Sequence, residues 1–130
     1  MKFQIIMLLL SLAFFTTALN SGNECVTTPC TGEMTYFSAG LGACGIETNG
    51  GITSGVALSN VFFGSPAGTG NAYCGLTVAI TYGGVTVDAE VIDVCYECGD
   101  LGIDTTFATW GELGIPLSDG EVEVTWQIIN

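Results

Sequence analysis

Alternating apolar and polar positions predict that most of the chain after about residue 30 forms short β-strands. The clearest unit is the pair of segments Leu76–Tyr82 and Val85–Val94, which flank the dipeptide Gly83-Gly84. A two-residue glycine turn between alternating segments is typical of a β-hairpin. The predicted apolar face of this hairpin consists of Leu76, Val78, Ile80, Val85, Val87, Ala89 and Val91. Threonine and acidic residues occupy most of the other face, so we expect one side of the hairpin to face a core.

The same pattern predicts further strands over Gly32–Ser38, Gly55–Ser59 and Glu121–Ile129. Glycine-rich segments between them indicate turns, and Phe63–Asn71 is interpreted as a loop. One short helix is expected in "TTFATWGELG", with Asp104 or Thr105 as its N-cap and Gly114 at its end. Many short strands with one short helix favour a small, closed, all-β barrel.

The N-terminal segment has the features of a secretory signal peptide. Lys2 precedes an apolar run from Phe3 to Phe15, and small residues follow at Thr16–Ala18. The run is short for a membrane span, which makes an uncleaved membrane anchor the weaker alternative. We therefore predict a signal peptide at 1–18, an N-terminal extension at 19–31, a barrel domain at 32–130, and an extracellular, secreted protein.

The charge balance excludes several classes of partner. The chain has 13 Asp and Glu residues, no His, and only one cationic side chain, Lys2, which lies in the predicted signal peptide. Nucleic-acid binding requires neutralisation of phosphates, which the remaining residues cannot supply. We therefore expect no nucleic-acid partner and, after signal cleavage, no membrane partner.

The six cysteines indicate three disulfides in an oxidising compartment. Sequence alone permits 15 connectivities, although local closure favours Cys25–Cys30 and Cys95–Cys98, which leaves Cys44–Cys74. A zinc site is disfavoured because the pair Cys95/Cys98 has no second ligand pair at suitable spacing. A redox role is disfavoured because nearby carboxylates raise thiol pKa values. We expect no metal and no cofactor.

The absence of histidine also excludes the usual nucleophilic triads. Acid–base chemistry would then fall on carboxylates, as in glycosidic-bond chemistry. Asp93 and Asp104 are the candidates, because both depart from the alternating pattern that explains the other acidic residues. The alternatives are structural: Asp104 as a helix N-cap and Asp93 as an acceptor of hydrogen bonds within a loop.

The segments "GEMTYFSAGLGACG", "VALS", "CGLTVAITYGGVTVDAEVIDVCYECGDLGIDTTFATW" and "VEVTWQI" together resemble the double-psi β-barrel of rare-lipoprotein-A-like, barwin-like and expansin-like proteins. The similarity is greatest to small secreted fungal members. It implies a six-stranded barrel with one or two short helices, stapled by disulfides, and a shallow polysaccharide groove. In expansin-like members the groove carries a first-strand Thr and two aspartates, which correspond here to Thr35, Asp93 and Asp104. Tyr36 or Tyr96 would supply the stacking surface, because Cys95 occupies the position of the expansin aromatic.

The chain departs from this pattern in ways that bear on activity. The resemblance places Asp104 at the general acid of related family 45 hydrolases, but Ala39 stands where those enzymes hold their base. Without a second carboxylate to activate water, inverting hydrolysis lacks its base. Val94 and Leu76 also replace cations that many small relatives carry. Enzymatic activity is therefore uncertain, and we lean towards a protein that is not an enzyme.

These observations favour an expansin-like, non-hydrolytic protein that binds or loosens cell-wall polysaccharide: glucan, cellulose or chitin. The first alternative is a barwin-like protease inhibitor or defence-related effector that binds a secreted protein through loops such as Phe63–Asn71. A further alternative is a lytic transglycosylase or endoglucanase-like enzyme that uses Asp104 as its acid. A monomer is expected in each case.

Overall fold

The structure, a computed structural model, describes residues 25–130. The predicted signal peptide and residues 19–24 of the predicted extension lie outside the described residues. Six strands and three short helices follow in the order β1 (Cys30–Tyr36), β2 (Gly55–Ser59), α1 (Asn60–Phe63), β3 (Thr77–Tyr82), β4 (Val85–Cys95), β5 (Ile103–Thr105), α2 (Phe107–Leu113), a 3-10 helix (Leu117–Asp119) and β6 (Val122–Ile128). Within this range no helix is long and apolar enough to cross a membrane.

The six strands form a closed barrel, which confirms the predicted all-β class. Their order around the barrel is β1-β5-β2-β4-β3-β6. The pairs β1–β5 and β2–β4 are parallel, and the other four pairs are antiparallel. Closure gives every strand a partner on both sides, so the barrel presents no open sheet edge.

The predicted hairpin is present as β3 and β4. Gly83 and Gly84 both have positive φ angles, 56° and 81°, as a two-residue turn that follows the strand twist requires. Val78 and Ile80 of β3 and Val87 of β4 are buried, while the threonines between them are more exposed. The period-two pattern therefore identified the turn and most of the inward face, although Val85, predicted on that face, is exposed beside the turn.

Large side chains from every strand and from both α-helices form the core. Trp110, Trp126 and Met34 are among the largest fully buried residues, and the Trp126 ring makes an edge contact with Phe62 at a centroid distance of 5.5 Å. The Trp126 indole also donates a hydrogen bond to the Leu101 carbonyl at 2.9 Å. That carbonyl lies so close to β1 that a Cβ at Gly32 would approach its oxygen to 1.9 Å. Gly32 is therefore needed for the chain before β5 to pass over β1.

Two local predictions for the second half of the chain need correction. Neither Asp104 nor Thr105 caps α2: both belong to β5, and the N-cap is Thr106. The Thr106 side chain makes no cap bond but binds the backbone of Thr53 and Gly55 instead. The end of α2 is as predicted, with Gly114 in the left-handed region at φ 74°.

Other element boundaries also differ from the expected ones. The first strand begins at Cys30 rather than at Gly32, and it ends at Tyr36 rather than at Ser38. A short helix, α1, occupies Asn60–Phe63 and ends at the first residue of the predicted loop; the Ser59 side chain accepts a hydrogen bond from Val61 N at 3.3 Å. These changes leave the order of the predicted strands intact.

The three disulfides are those that local closure suggested: Cys25–Cys30, Cys44–Cys74 and Cys95–Cys98. The first closes the segment that leads into β1. The second joins the loop after β1 to the segment before β3, and the third closes the loop after β4. Three disulfides with no free cysteine in the described residues indicate an oxidising environment.

Candidate functional site

Four residues on neighbouring strands form a row across the outer face of the barrel. Thr35 of β1 is paired with Asp104 of β5, Asp104 with Ala57 of β2, and Ala57 with Asp93 of β4. The neighbours of Ala57 along β2 belong to the core cluster, so Ala57 points outward, as do the residues directly opposite it. The backbones of Asp93 and Asp104 are therefore two strand spacings apart, about 10 Å.

A β-bulge brings Asp93 to this face. Val56 pairs with Val91, but the next residue, Ala57, pairs with Asp93, so Ile92 is the extra residue of β4. The bulge reverses the alternation of the strand: Val87, Ala89 and Val91 belong to the core cluster before it. After the bulge Val94 packs against the core, and Asp93 points outward.

Thr35 and Asp104 form a hydrogen-bonded pair. The Thr35 hydroxyl donates to Asp104 Oδ1 at 3.0 Å, and both residues are half-buried. Burial raises the pKa of Asp104 above its ordinary value of 3.8, and the negative charges of Asp93 and Glu97 raise it further. The hydrogen bonds from Thr35 and from the Thr105 backbone act in the opposite direction without cancelling this effect. The Asp104 carboxyl thus takes up a proton more readily than a solvated aspartate.

The Asp93 carboxylate has a different set of partners. Its Oδ1 accepts hydrogen bonds from Ala43 N at 2.9 Å and from its own neighbour Val94 N at 2.8 Å. Gly42 passes so close that a Cβ there would lie 2.4 Å from the Ile92 carbonyl oxygen. Asp93 therefore anchors the loop after β1 to β4. This is the structural role, acceptance of hydrogen bonds from a loop, that was the sequence-based alternative to a role in catalysis.

Asp104 lies in a cleft of about 210 Å³, hereafter the Asp104 cleft. Its walls come from β1, from β5, from the loop closed by Cys95–Cys98, and from the start of β6. The residues that line it are Glu33, Thr35, Cys95, Glu97, Cys98, Gly99, Gly102, Ile103, Asp104 and Glu121. Since residues 25–130 contain no Lys, Arg or His, nothing cationic balances the carboxylates within this range, and the cleft repels anions.

Sequence reasoning missed three cleft residues: Glu33, Glu97 and Glu121. Glu121 was assigned to a solvated strand face, Glu97 was considered only as one of the carboxylates near the cysteines, and Glu33 was not considered. Glu33 could have been found, because it precedes Thr35 by two positions on one strand and so shares its face. Glu97 and Glu121 reach the cleft only through the shape of the cysteine loop and the closure of the barrel.

The two candidate stacking residues lie outside the Asp104 cleft. The Tyr36 ring makes edge contacts with Phe107 and Trp110, at centroid distances of 5.5 and 5.2 Å. Tyr96 projects from the disulfide loop and is 66% exposed. Ala39 lines a separate cleft beside Phe107. The structure thus brings Thr35 and Asp104 together, places Asp93 in the same row two strands from Asp104, and leaves both tyrosines out of the cleft lining.

The cleft carboxylates do not form a metal site. Within residues 25–130 no group of three or more His, Cys, Asp or Glu side chains is arranged to hold a metal ion. The Asp104 cleft can instead offer hydrogen bonds from one hydroxyl and from carboxyl groups, one of which is readily protonated.

The closed six-stranded barrel, with its two parallel pairs and the Thr35–Asp104–Asp93 row, defines a double-psi β-barrel protein. No protein-family profile matches the chain. The papain inhibitor of Streptomyces mobaraensis is 32% identical over 103 residues, which are 77% of this chain and 71% of that protein. The chain therefore belongs to the double-psi β-barrel family that includes this inhibitor.

Solved structures agree with this assignment. The structure of the Streptomyces papain inhibitor matches with a TM-score of 0.75 at 30% identity, covering 81% of this chain and 97% of that one. An expansin of Clavibacter michiganensis matches with a TM-score of 0.67 at 21% identity, covering 79% of this chain and 51% of that one. At this identity the expansin shows a shared fold; a mutant of it has been solved in complex with cellohexaose.

Fungal relatives are more similar over a shorter region. An Asp f 7 allergen homolog of Arthroderma benhamiae is 46% identical over 80 residues, which are 60% of this chain and 27% of that protein. The Asp f 7 allergen of Aspergillus fumigatus matches over 36% of its length. The chain thus spans about a third or less of the length of these two relatives.

Proposed function

We propose that this protein binds a neutral cell-wall polysaccharide in the Asp104 cleft without hydrolysing it. The observation that carries the proposal is the Thr35–Asp104 pair: a half-buried carboxyl of raised pKa, hydrogen-bonded to a hydroxyl, on the wall of an open cleft. The predicted signal peptide and the three disulfides support an extracellular site of action.

The chemistry of the pair suits sugar hydroxyls and glycosidic oxygens. A protonated Asp104 donates a hydrogen bond to an oxygen acceptor, and Thr35 can both donate and accept. The carboxylates of Glu33 and Glu97 accept hydrogen bonds from hydroxyls and repel acidic polymers. Ala39, the position of the base in the resembling hydrolases, lies in another cleft, which supports binding without hydrolysis.

Pull-down on cellulose and chitin at about pH 4 and about pH 7 tests the proposal. The wild type should bind better in acid, because a larger fraction of Asp104 is then protonated. Asp104→Ala should abolish the gain in acid and weaken binding. Asp104→Asn should bind almost equally at both pH values, because its amide donates a hydrogen bond without titrating.

Asp88→Asn is the matched control, because Asp88 is exposed on β4 and does not line the cleft. It should bind as the wild type does. If Asp104→Ala binds as well as the control at both pH values, the cleft is not the binding site. Release of reducing ends or anhydro-sugars by the wild type would contradict the non-hydrolytic part of the proposal.

A second candidate function, inhibition of a papain-like protease, is supported by the similarity to the papain inhibitor and by one internally braced loop. The loop spans residues 64–71, and most of it is exposed. Asn71, which is buried, donates hydrogen bonds to the carbonyls of Phe63 and Pro66 and accepts one from Tyr73 N at 2.9 Å. A loop held in one conformation before binding loses little entropy on binding a protein.

Papain inhibition assays distinguish the two candidates. If the loop inhibits, Ala67→Arg, which places a bulky cation on its exposed surface, should weaken inhibition at least tenfold. Asp104→Ala should leave inhibition unchanged. The reverse pattern would place inhibition in the Asp104 cleft, and no inhibition by the wild type would remove the second candidate.

A further inference from the structure

One buried residue in the described part of the chain carries a hydroxyl that makes no hydrogen bond within residues 25–130. Six polar residues in residues 25–130 are buried: Thr48, Ser59, Asn71, Thr105, Thr106 and Thr109. The other five side chains each have a hydrogen-bond partner. The Thr48 side chain has none within this range, although the residue is only 6% exposed. Since no fully buried polar atom there lacks a partner, the Thr48 hydroxyl must reach solvent.

Thr48 reaches solvent through a cleft of about 470 Å³, hereafter the Thr48 cleft. Besides glycine backbone, its lining consists of Ser38, Ala39, Glu47, Thr48, Asn49 and Phe107. Backbone hydrogen bonds fix its walls: Thr48 N donates to the Gly40 carbonyl at 3.0 Å, and Ala108 N donates to the Gly50 carbonyl at 2.9 Å. The hydroxyl therefore belongs to a site formed before any ligand arrives.

The groups around this hydroxyl suit a neutral sugar. Asn49 Oδ1 accepts a hydrogen bond from Gly51 N at 3.1 Å, which leaves its amide N–H groups as donors. Ser38 adds an exposed hydroxyl, and Glu47 adds an acceptor that repels anions. Phe107 contributes an aromatic ring, braced by the edge contact with Tyr36. A pyranose ring has hydroxyl groups beside an apolar C–H face. The polar side chains and the Phe107 ring of the Thr48 cleft complement this combination.

The Thr48 cleft and the Asp104 cleft lie along one stretch of chain. Thr35 lines the Asp104 cleft, and Ser38 and Ala39 line the Thr48 cleft. Phe37 N continues the pairing of β1 by donating to the Thr105 carbonyl at 3.0 Å, so the chain between them starts extended. Three or four residues span at most about 10–13 Å, a distance that one oligosaccharide can bridge.

We propose that the Thr48 cleft is a second sugar subsite, which binds one pyranose unit of the same glycan that occupies the Asp104 cleft. This inference rests on the proposed polysaccharide binding. In this subsite Thr48 and Asn49 would hydrogen-bond the sugar, and Phe107 would provide the aromatic contact. Neither Tyr36 nor Tyr96 lines the Asp104 cleft to provide such a contact there.

Calorimetric titration of the full chain with cellohexaose and with chitohexaose tests the inference. Thr48→Val removes the hydroxyl and keeps the shape of the side chain, so Kd should rise about fivefold, the effect of one ordinary hydrogen bond. Ser38→Tyr, at an exposed position, should fill the cleft and weaken binding more. Thr125→Val, an exposed threonine on β6, is the control and should leave Kd unchanged.

The outcomes separate this inference from the proposed function. If Asp104→Ala weakens binding while Thr48→Val and Ser38→Tyr do not, the second subsite is wrong and the first stands. If neither oligosaccharide binds the wild type, both proposals are wrong. If Thr48→Val weakens papain inhibition and leaves sugar binding intact, the cleft serves a protein partner, and the inference is also wrong.

Discussion

Removal of the Cys44–Cys74 disulfide should destabilise the fold more than removal of either other disulfide. This bond joins the loop that Asp93 anchors to the segment before β3, across a sequence separation of 30 residues. The Cys95–Cys98 bond closes a separation of only 3 residues. A longer closed loop restricts the unfolded chain more, so the two bonds should contribute unequally to stability.

The chain-entropy relation gives the size of the difference. For a 30-residue separation the contribution is about 3.6 kcal/mol at 25 °C, and for a 3-residue separation it is about 1.6 kcal/mol. The expected difference in the free energy of unfolding is therefore about 2 kcal/mol. For a domain whose total stability is of the order of 5–15 kcal/mol, this difference is readily measured.

Urea unfolding of two double variants, Cys44→Ala/Cys74→Ala and Cys95→Ala/Cys98→Ala, supplies the test. Both variants replace two cysteines by alanine, so the chemical change is matched, and extrapolated free energies are compared with the wild type. Loss of about 3–4 kcal/mol in the first variant and less than about 2 in the second is the expected result. Equal losses, or a larger loss in the second, would refute the loop-closure reasoning.

Three further predictions concern α2, the Asp104 carboxyl and the braced loop. Gly114→Ala should destabilise the protein by about 1–2 kcal/mol, because Gly114 has φ 74°. Gly111→Ala should stabilise the protein by about 0.5–1 kcal/mol, because Gly111 lies in the exposed helix interior with open space around it. Thermal unfolding measures both changes. Because the folded-state pKa of Asp104 is raised, its favourable contribution is complete below about pH 3.8 and is lost as pH rises through the raised value. The stability of Asp104→Asn relative to wild type should therefore increase from acid to neutral pH. An unchanged difference would contradict the burial of Asp104. Asn71→Ala removes three hydrogen bonds, to the backbone of Phe63, Pro66 and Tyr73, and should cost about 1–3 kcal/mol by urea unfolding. A cost near zero would mean that the loop is braced by other contacts.

The elements predicted from sequence are those with enough residues to show a period. The hairpin β3–β4 alternates as far as the bulge at Ile92 and carries two glycines where positive φ is needed. The strand β6 alternates in the same way, and α2 combines apolar residues three apart with a terminal glycine. Each of these signals is local, so one sequence suffices to detect it.

Elements that depend on tertiary contacts were not predicted from the hydrophobic pattern. The strand β5 has three residues, too few to alternate, and it exists because it lies between β1 and β2. Asp104 was consequently considered as a helix cap, although its true partner, Thr35, is 69 residues away in the chain. The four-residue helix α1 is also shorter than any periodic signal.

The candidate site was predictable in part. The family resemblance singled out Thr35, Asp93 and Asp104, and the barrel brings them into one row. The bulge at Ile92 and the Thr48 cleft depend on strand register and loop packing, which the residue types do not encode locally. Tyr36 was offered as a stacking residue in place of the expansin aromatic, but adjacent strand residues point to opposite faces, and its ring packs against Phe107 and Trp110.

The most direct test of polysaccharide binding in the Asp104 cleft is a titration of the isotope-labelled protein with cellohexaose, followed by amide NMR shifts at about pH 4. The account predicts saturable shift changes at Thr35, Ile103 and Asp104, and their loss in Asp104→Ala. Shift changes confined to residues 64–71, or none at millimolar cellohexaose, would contradict it.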